Sequence, residues 1–340
     1  MKRVKVKQGT LDWEKLREHR IGGSEVFDIV RYYAADEELQ NCGINAEDFK
    51  SEQPYTTAWL LYHKMLGDGI YRKEAPPPEL AEYGHAAEPY GVRYLSRGRK
   101  KRLKPGEVYI SDRLIASLDV SGIAEETDCV PFNYGHGKPK VGQKFVCEQK
   151  TMLPQKLGKG MPFKYIVQAQ YQILQTKADF FILQVMVLKE DTPFIRGKIC
   201  QMSSAKRYAY LDENMTVGLY YFQNNEHLAR LIEVCIERFF DAVDNLREPT
   251  PYIRYDSQSN IIESIRLNSA YNDKFVAEYD LQPFAKAKAA KENAAEEHSA
   301  ELQRIVEFAK EHNACRFRSE RYTAVFSKNG RFLLKAEAIK

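Results

Sequence analysis

Hydrophobic positions fall into helical and strand periods along the first three quarters of the chain. After Leu11 a short helix with Trp13 and Leu16 inward is expected, broken by Gly22-Gly23. Ser24 then suits the N-cap of a second helix carrying Val26, Phe27, Ile29 and Val30. Trp59, Leu60, Tyr62 and Met65 predict a helix over 56–67. A proline-rich break at 74–78 precedes another at 79–97, with Tyr83, Ala87 and Leu95 near one face. Short apolar runs at 108–110, 114–118, 122–124 and 145–150 read as strands. Residues 163–176 form a helix with Ile166, Ala169, Ile173 and Leu174 as its core face, and 180–188 a strongly apolar strand, which 194–200 is expected to join as a hairpin.

An amphipathic helix over 226–246 ends before Pro249 and Pro251. Beyond it the pattern weakens. Residues 1–251 are taken as the core, 252–283 as a linker, and 284–340 as a helix-plus-hairpin module. The hairpin turns at Asn329-Gly330, a pair that favours a tight turn. Whether that module packs on the core or binds something else is left open by its pattern.

Composition adds little to this picture and charge somewhat more. At 340 residues, 44% hydrophobic and 29% charged, the chain has the make-up of a water-soluble globular protein. No apolar run is long enough to span a bilayer, and the basic start lacks a signal peptide's apolar stretch, so a cytoplasmic protein without a membrane partner is expected. Net charge is only +4, but Arg97, Arg99, Lys100, Lys101, Arg102 and Lys104 form one dense tract. Such a tract can bind phosphates or simply be a solvated loop. The six cysteines are scattered, with no Cys-x-x-Cys pair, and are expected to be reduced.

The candidate chemistry gathers between Ala116 and Lys150. Asp119 and Glu148 end apolar runs, and Lys150 follows Glu148 by two, so in a strand both face one side. On neighbouring strands, two carboxylates and an ammonium would converge. That set can hold a hard cation through oxygen and position or deprotonate a water, as metal-assisted phosphodiester hydrolysis requires. Alone, the same residues could be a surface salt-bridge cluster. Around them, Arg17 and the glycine-led helix at Ser24 could hold an anion, or the helix could be ordinary. Glu88 follows Gly84 by one turn and could be solvated. Gln168 and Gln172 stand one turn apart and could bond a phosphate or only a loop. The Gly-, Pro- and Lys-rich stretch 127–144 could overhang the site.

These pieces recur in one order. Trp13-Glu-Lys-Leu-Arg17…Ile21-Gly-Gly-Ser24-Glu-Val26, Gly84-His-Ala-Ala-Glu88, Ser117-Leu-Asp119, Glu148-Gln-Lys150 and Gln168-Ala-Gln-Tyr171 resemble the lambda-exonuclease-like, YqaJ-type viral recombinase family of PD-(D/E)XK nucleases over roughly 11–251. The resemblance implies an α/β fold with a curved mixed sheet flanked by helices. It also implies Mg2+-dependent hydrolysis of linear double-stranded DNA from 5′ ends in phage or mobile-element recombination, with two ions expected and Mn2+ as a substitute. The exposed 3′ strand would pass to a single-strand annealing recombinase, and a ring-shaped homotrimer is implied in a bacterial host. Asp119, Glu148 and the carbonyl of Gln149 match the metal ligands, Lys150 the signature lysine, Glu88 the helix carboxylate near the metals, Gln168 the following glutamine, and Arg17 with Ser24 the holders of the terminal phosphate. Two departures stand out: Asp119-Val-Ser-Gly122 replaces the usual Asp-Gly, and twenty-eight residues separate Asp119 from Glu148. The readings that compete with an exonuclease are an endonuclease on the same core and a non-catalytic DNA-binding scaffold.

Overall fold

The computed structural model describes the chain outside residues 72–76, 153–159, 257–259, 262–264, 266–275, 285–294, 313, 320–321, 327–331 and 337–340. Most of the expected proline-rich break, the basic loop expected around Lys156 and Lys159, and the expected turn at Asn329-Gly330 therefore lie outside the described residues. The chain forms two units: Met1–Tyr55 with Arg72–Asp241, and Thr56–Tyr71 with Ala242–Lys340.

The first unit opens with β1 (Lys2–Val4), α1 (Leu11–Glu18), β2 (Ile21–Gly22), α2 (Gly23–Tyr33), α3 (Asp36–Asn41) and α4 (Ala46–Ser51). Next in the chain comes α5 (Ala58–Leu66), part of the second unit. The first unit resumes with α6 (Pro78–Leu95), β3 (Lys104–Pro105), β4 (Val108–Ile110), β5 (Leu114–Ser117), β6 (Val120–Ile123), β7 (Lys144–Thr151), α7 (Phe163–Thr176) and β8 (Phe180–Leu188). It ends with α8 (Pro193–Gln201), α9 (Ser204–Asn214), β9 (Met215–Gln223) and α10 (Glu226–Asp244). The fold is mixed α/β: a five-stranded sheet β3-β6-β7-β8-β9 and a four-stranded sheet β1-β4-β5-β2, with helices flanking them. β7 and β8 run parallel, with Glu148 opposite Leu183, and α7 makes the crossover that a parallel pair needs. Every residue of β8 is buried, as a central strand apolar at every position but Gln184 demands. β6 and β9 pair antiparallel on either side.

Leu118 and Asp119 occupy the junction where the chain leaves one sheet for the other. Leu118 N–H donates to the Glu107 carbonyl at 2.9 Å, and the Asp119 carbonyl accepts from Gly106 N–H at 3.1 Å. Asp119 is thus pinned from the β3–β4 connection on both sides of its own peptide.

Several sequence expectations are corrected. Residues 194–200 form α8 and not a strand. Thr192 caps it, its Oγ1 accepting from Ile195 N–H at 3.2 Å, and Pro193 occupies the first turn where its missing N–H costs nothing. The partner of β8 is β9, whose half-exposed middle hides its alternation. Residues 127–144 attach to β9 instead of overhanging the carboxylates: the N–H groups of Asn133 and Tyr134 donate to the Tyr221 carbonyl at 3.1 Å, and Tyr134 stacks on Phe222 at 4.4 Å.

The second unit gathers α5 with β10 (Val276–Glu278), α11 (Ala295–Glu311), β11 (Arg316–Arg318), β12 (Tyr322–Phe326) and β13 (Phe332–Ala336). The strands form one sheet in that order, and β12–β13 pair antiparallel, as a hairpin should. Trp59, Ile261, Leu302, Ile305 and Phe317 share its core. Two boundaries move as a result. Residues 56–71 leave the expected 1–251 core, and the expected 252–283 linker contributes buried Ile261, Ile265 and Leu281. A polar knot sits beside this core: Glu248 Oε1 accepts from Trp59 Nε1 at 2.5 Å and lies 2.5 Å from Lys310 Nζ and 3.2 Å from His63 Nε2. His63 Nδ1 in turn meets Asp68 Oδ2 at 2.5 Å.

Candidate active site

β7 places Val146, Glu148 and Lys150 on one face by simple alternation. Lys150 Nζ lies 2.7 Å from Glu148 Oε1, and the other carboxylate oxygen accepts from Gln172 Nε2 at 3.0 Å. Asp119 arrives from the sheet junction, its Oδ2 accepting the Gln149 N–H at 2.7 Å. One strand thus carries a carboxylate, the N–H that fixes a second carboxylate, and an ammonium within three consecutive residues.

Electrostatics fit that crowding. Burial and the negative Glu148 push the Asp119 carboxyl well above the usual carboxylate range, against the opposing pull of Lys150 and the Gln149 N–H. Burial alone would favour loss of the Lys150 proton. Glu148, Tyr55 and Asp119 outweigh it and hold the ammonium above an ordinary lysine. Two carboxyl groups therefore crowd one ammonium in the pocket. Asp119 Oδ1 carries no hydrogen bond among the described residues, and the buried Oε1 atoms of Gln168 and Gln172 lack partners. Hard oxygen donors crowded together in this way suit a divalent cation such as Mg2+. Among the described residues no three His, Cys, Asp or Glu side chains converge closely enough to form a complete protein cage. An ion here would take part of its shell from elsewhere, as Mg2+ habitually does.

α7 carries the glutamines. Its N-terminus is fixed by Glu52, whose Oε2 accepts the Phe163 N–H at 2.6 Å. α2 packs against it at Gly23, where an added Cβ would sit 3.4 Å from the Tyr171 ring and 3.5 Å from Gln168. The start of α2 departs from expectation. Helix begins at Gly23, so Gly22 is the cap residue and Ser24 lies inside the first turn. Glu25 supplies the capping bond, accepting from Gly22 N–H at 2.8 Å. Arg17 does fold back: its guanidinium lies over the Trp13 ring at 4.7 Å, and a Cβ on Gly22 would lie 3.7 Å from its Nη2. Arg17 and Ser24 are brought together at one helix N-terminus, on an element adjoining the one that bonds Glu148.

Glu88 is not drawn into this set. Its half-exposed carboxylate lies 3.2 Å from His85 Nδ1 and reaches Asp119 only as a distant negative charge. At Gly84, one turn before it, the nearest atom to an added Cβ is Thr151 Oγ1 at 3.8 Å, so nothing packs closely there. The glycine that matters is Gly91. Gln149 and Gln184 bond to each other at 2.8 Å beneath it, and Gln184 Nε2 donates to its carbonyl at 3.2 Å. Sequence reasoning singled out Gln168, yet Gln172 makes the bond to Glu148; their spacing of one turn was the available signal. Tyr165, whose ring lies 5.9 Å from Lys150 Nζ, was missed for want of any pattern to mark it.

No family model matches this chain, and no curated protein matches it. Among solved structures it is similar to an alkaline exonuclease, LHK-Exo, from Laribacter hongkongensis, at 14% identity, TM-score 0.41, covering 69% of this chain and 93% of that one. The same enzyme in complex with dAMP gives 15% identity and TM-score 0.40 over 69% and 93%. A phage related exonuclease from Haemophilus somnus 129PT gives 10% identity and TM-score 0.40 over 68% and 96%. Function is read from the site itself.

Proposed function

We propose that the first unit is a metal-dependent nuclease that hydrolyses phosphodiester bonds of linear double-stranded DNA from 5′ ends, leaving 3′ tails. The observation that carries this reading is the coupling of Asp119, Glu148 and Lys150 through one strand, with Gln149 N–H on Asp119 and Lys150 Nζ 2.7 Å from Glu148. A binding module gains nothing from placing two carboxylates beside a polyanion. A hydrolase does.

Asp119 and Glu148, with the Gln149 carbonyl, would hold Mg2+, or Mn2+ in its place. Bound there, the ion supplies Lewis-acid stabilisation of charge developing on the phosphate oxygens. Lys150, kept protonated by Glu148, orients the attacking water and neutralises the phosphate through Nζ. Gln172 holds Glu148 in its rotamer through Oε2. Arg17, Ser24 and the N-terminus of α2 bind the terminal 5′ phosphate and so set the end from which cutting starts.

The test uses 5′-phosphorylated, 5′-hydroxyl and closed circular duplexes with Mg2+. The phosphorylated linear duplex should be degraded fastest and the circle should survive. Lys150→Ala should slow degradation by at least about 100-fold, the scale of losing one preorganised charge. Equal rates for Lys150→Ala and wild type would remove Lys150 from the chemistry, and a cut circle would replace the exonuclease by an endonuclease.

A further inference from the structure

The basic tract of residues 97–104 plays no part in this chemistry. Arg97 is neutralised by Asp212, and Arg99 is buried against Asp128. Arg99 also ties the tract down, with Nε donating to the Leu95 carbonyl at 2.8 Å and Nη1 to the Ile123 carbonyl at 3.3 Å. Glu125 grips the backbone beyond it, accepting from Lys100 N–H at 3.0 Å and Lys101 N–H at 2.7 Å. The turn is therefore held from inside by its backbone. The side chains of Lys100, Lys101, Arg102 and Lys104 are exposed and make no hydrogen bond or ion pair among the described residues.

Lys100, Lys101 and Arg102 line a concavity of about 330 Å³, and Lys104 begins β3, the edge strand of the sheet that carries Glu148. Lys104 pairs with Ser121 of β6. Arg99 lies over the Phe145 ring at 5.0 Å and Leu103 shares a core with Phe145, so the tract is anchored on the face of β7 opposite the one that bears Glu148 and Lys150. No exposed apolar side chain accompanies the cations, since Leu103 is buried, so a lipid surface would find nothing to insert. A polyanion passing the β3 edge of the sheet would meet four exposed cations.

We propose that Lys100, Lys101, Arg102 and Lys104 hold the phosphate backbone of duplex DNA outside the cutting site. This assignment rests on the nuclease reading and extends it with a second, non-catalytic contact. The full-length protein is tested for binding to a fluorescent 20-base-pair blunt duplex in EDTA, where cutting is suppressed, from about 50 to 300 mM salt. Lys100→Ala/Lys101→Ala/Arg102→Ala should reduce the slope of log affinity against log salt by about 2–3 and weaken binding at least about tenfold at 100 mM. Lys100→Arg/Lys101→Arg should keep both, and melting temperatures should match wild type. An unchanged slope and affinity in a folded triple variant would overturn the proposal. So would loss of binding to phosphatidylserine vesicles with DNA binding intact, which would assign the tract to a membrane surface. Degradation of linear duplex by wild type is measured separately: activity with an unchanged slope refutes the tract alone, whereas tract-dependent binding by an inactive wild type refutes the nuclease reading alone.

Discussion

Gly91→Ala should destabilise the first unit, while Gly84→Ala, two turns earlier on the same helix, should stabilise it. A methyl at Gly91 would come 2.5 Å from Gln149 Nε2, 2.9 Å from Gln149 Cδ and 3.0 Å from Gln184 Oε1. These amides are buried, and Gln184 also bonds the Gly91 carbonyl, so neither can swing away freely. Overpacking costs about 1–3 kcal/mol, and breaking a buried amide pair costs about 1–3 kcal/mol more. Better helix propensity returns about 1 kcal/mol. The net loss is centred near 3 kcal/mol, or about 6–12 °C in melting temperature for a unit of this size. At Gly84 the methyl meets nothing closer than 3.8 Å, so only the propensity gain remains, about 2–4 °C upward. Urea titrations and thermal melts of the two variants decide the matter. Gly91→Ala should also slow cleavage, because Gln149 carries the N–H that fixes Asp119. A Gly91→Ala protein as stable as Gly84→Ala would refute the close approach of α6 to β7 and β8.

Three further outcomes are expected. Gln172→Leu removes the donor on Glu148 Oε2 and should lower kcat about 10- to 100-fold with KM little changed, read in steady-state cleavage of linear duplex. Arg17→Ala should bring the rate ratio between 5′-phosphorylated and 5′-hydroxyl ends close to about one, as expected if its charge-assisted contact to the phosphate is lost. In the second unit, burial would raise the Glu248 carboxyl, but bonds from His63, Lys310 and Trp59 outweigh it and hold it at about 2, below 4.5. A depressed carboxylate contributes stability fully above its unfolded value and loses it as pH falls through the folded one. That unit should therefore lose stability between about pH 4.5 and pH 2, and Glu248→Gln should flatten that limb of the melting curve, as seen in calorimetry across the range.

Alternation along 145–150 made the Glu148–Lys150 pair legible, because a two-residue period places both on one face whatever surrounds them. A nearly continuous apolar run located β8, and a 3.6-residue period located α7 and α10. Asp119 was found by residue type, but its station at a sheet junction was not. Leu114–Ser117 and Val120–Ile123 look like one interrupted strand, and nothing local says that they belong to different sheets. α8 was misread because Phe194, Ile195 and Ile199 suit either period, while the Thr192-Pro193 start signal went unweighed. Gly91 escaped notice because its value lies in two glutamines from distant strands. Likewise, the joining of 56–71 to the C-terminal unit depends on Trp59 meeting a core built from residues some 200 positions later, which no local period encodes.

The pinning of Asp119 has a consequence for how this protein tolerates change. Its peptide is clamped from upstream, by Gly106 and Glu107, and its side chain by Gln149. The stretch between β6 and β7 re-enters through its own ladder, with Ala124 N–H donating to the Gln143 carbonyl at 2.7 Å and Gly142 N–H to that of Ala124 at 3.0 Å. Those closing bonds, with the ties of Asp128 to Arg99 and of Asn133 and Tyr134 to β9, separate the exposed turn around Lys138 from the carboxylates. Length and composition at that turn are free to drift, or to be engineered with a tag or a second binding module, while the geometry of the cutting site is inherited intact.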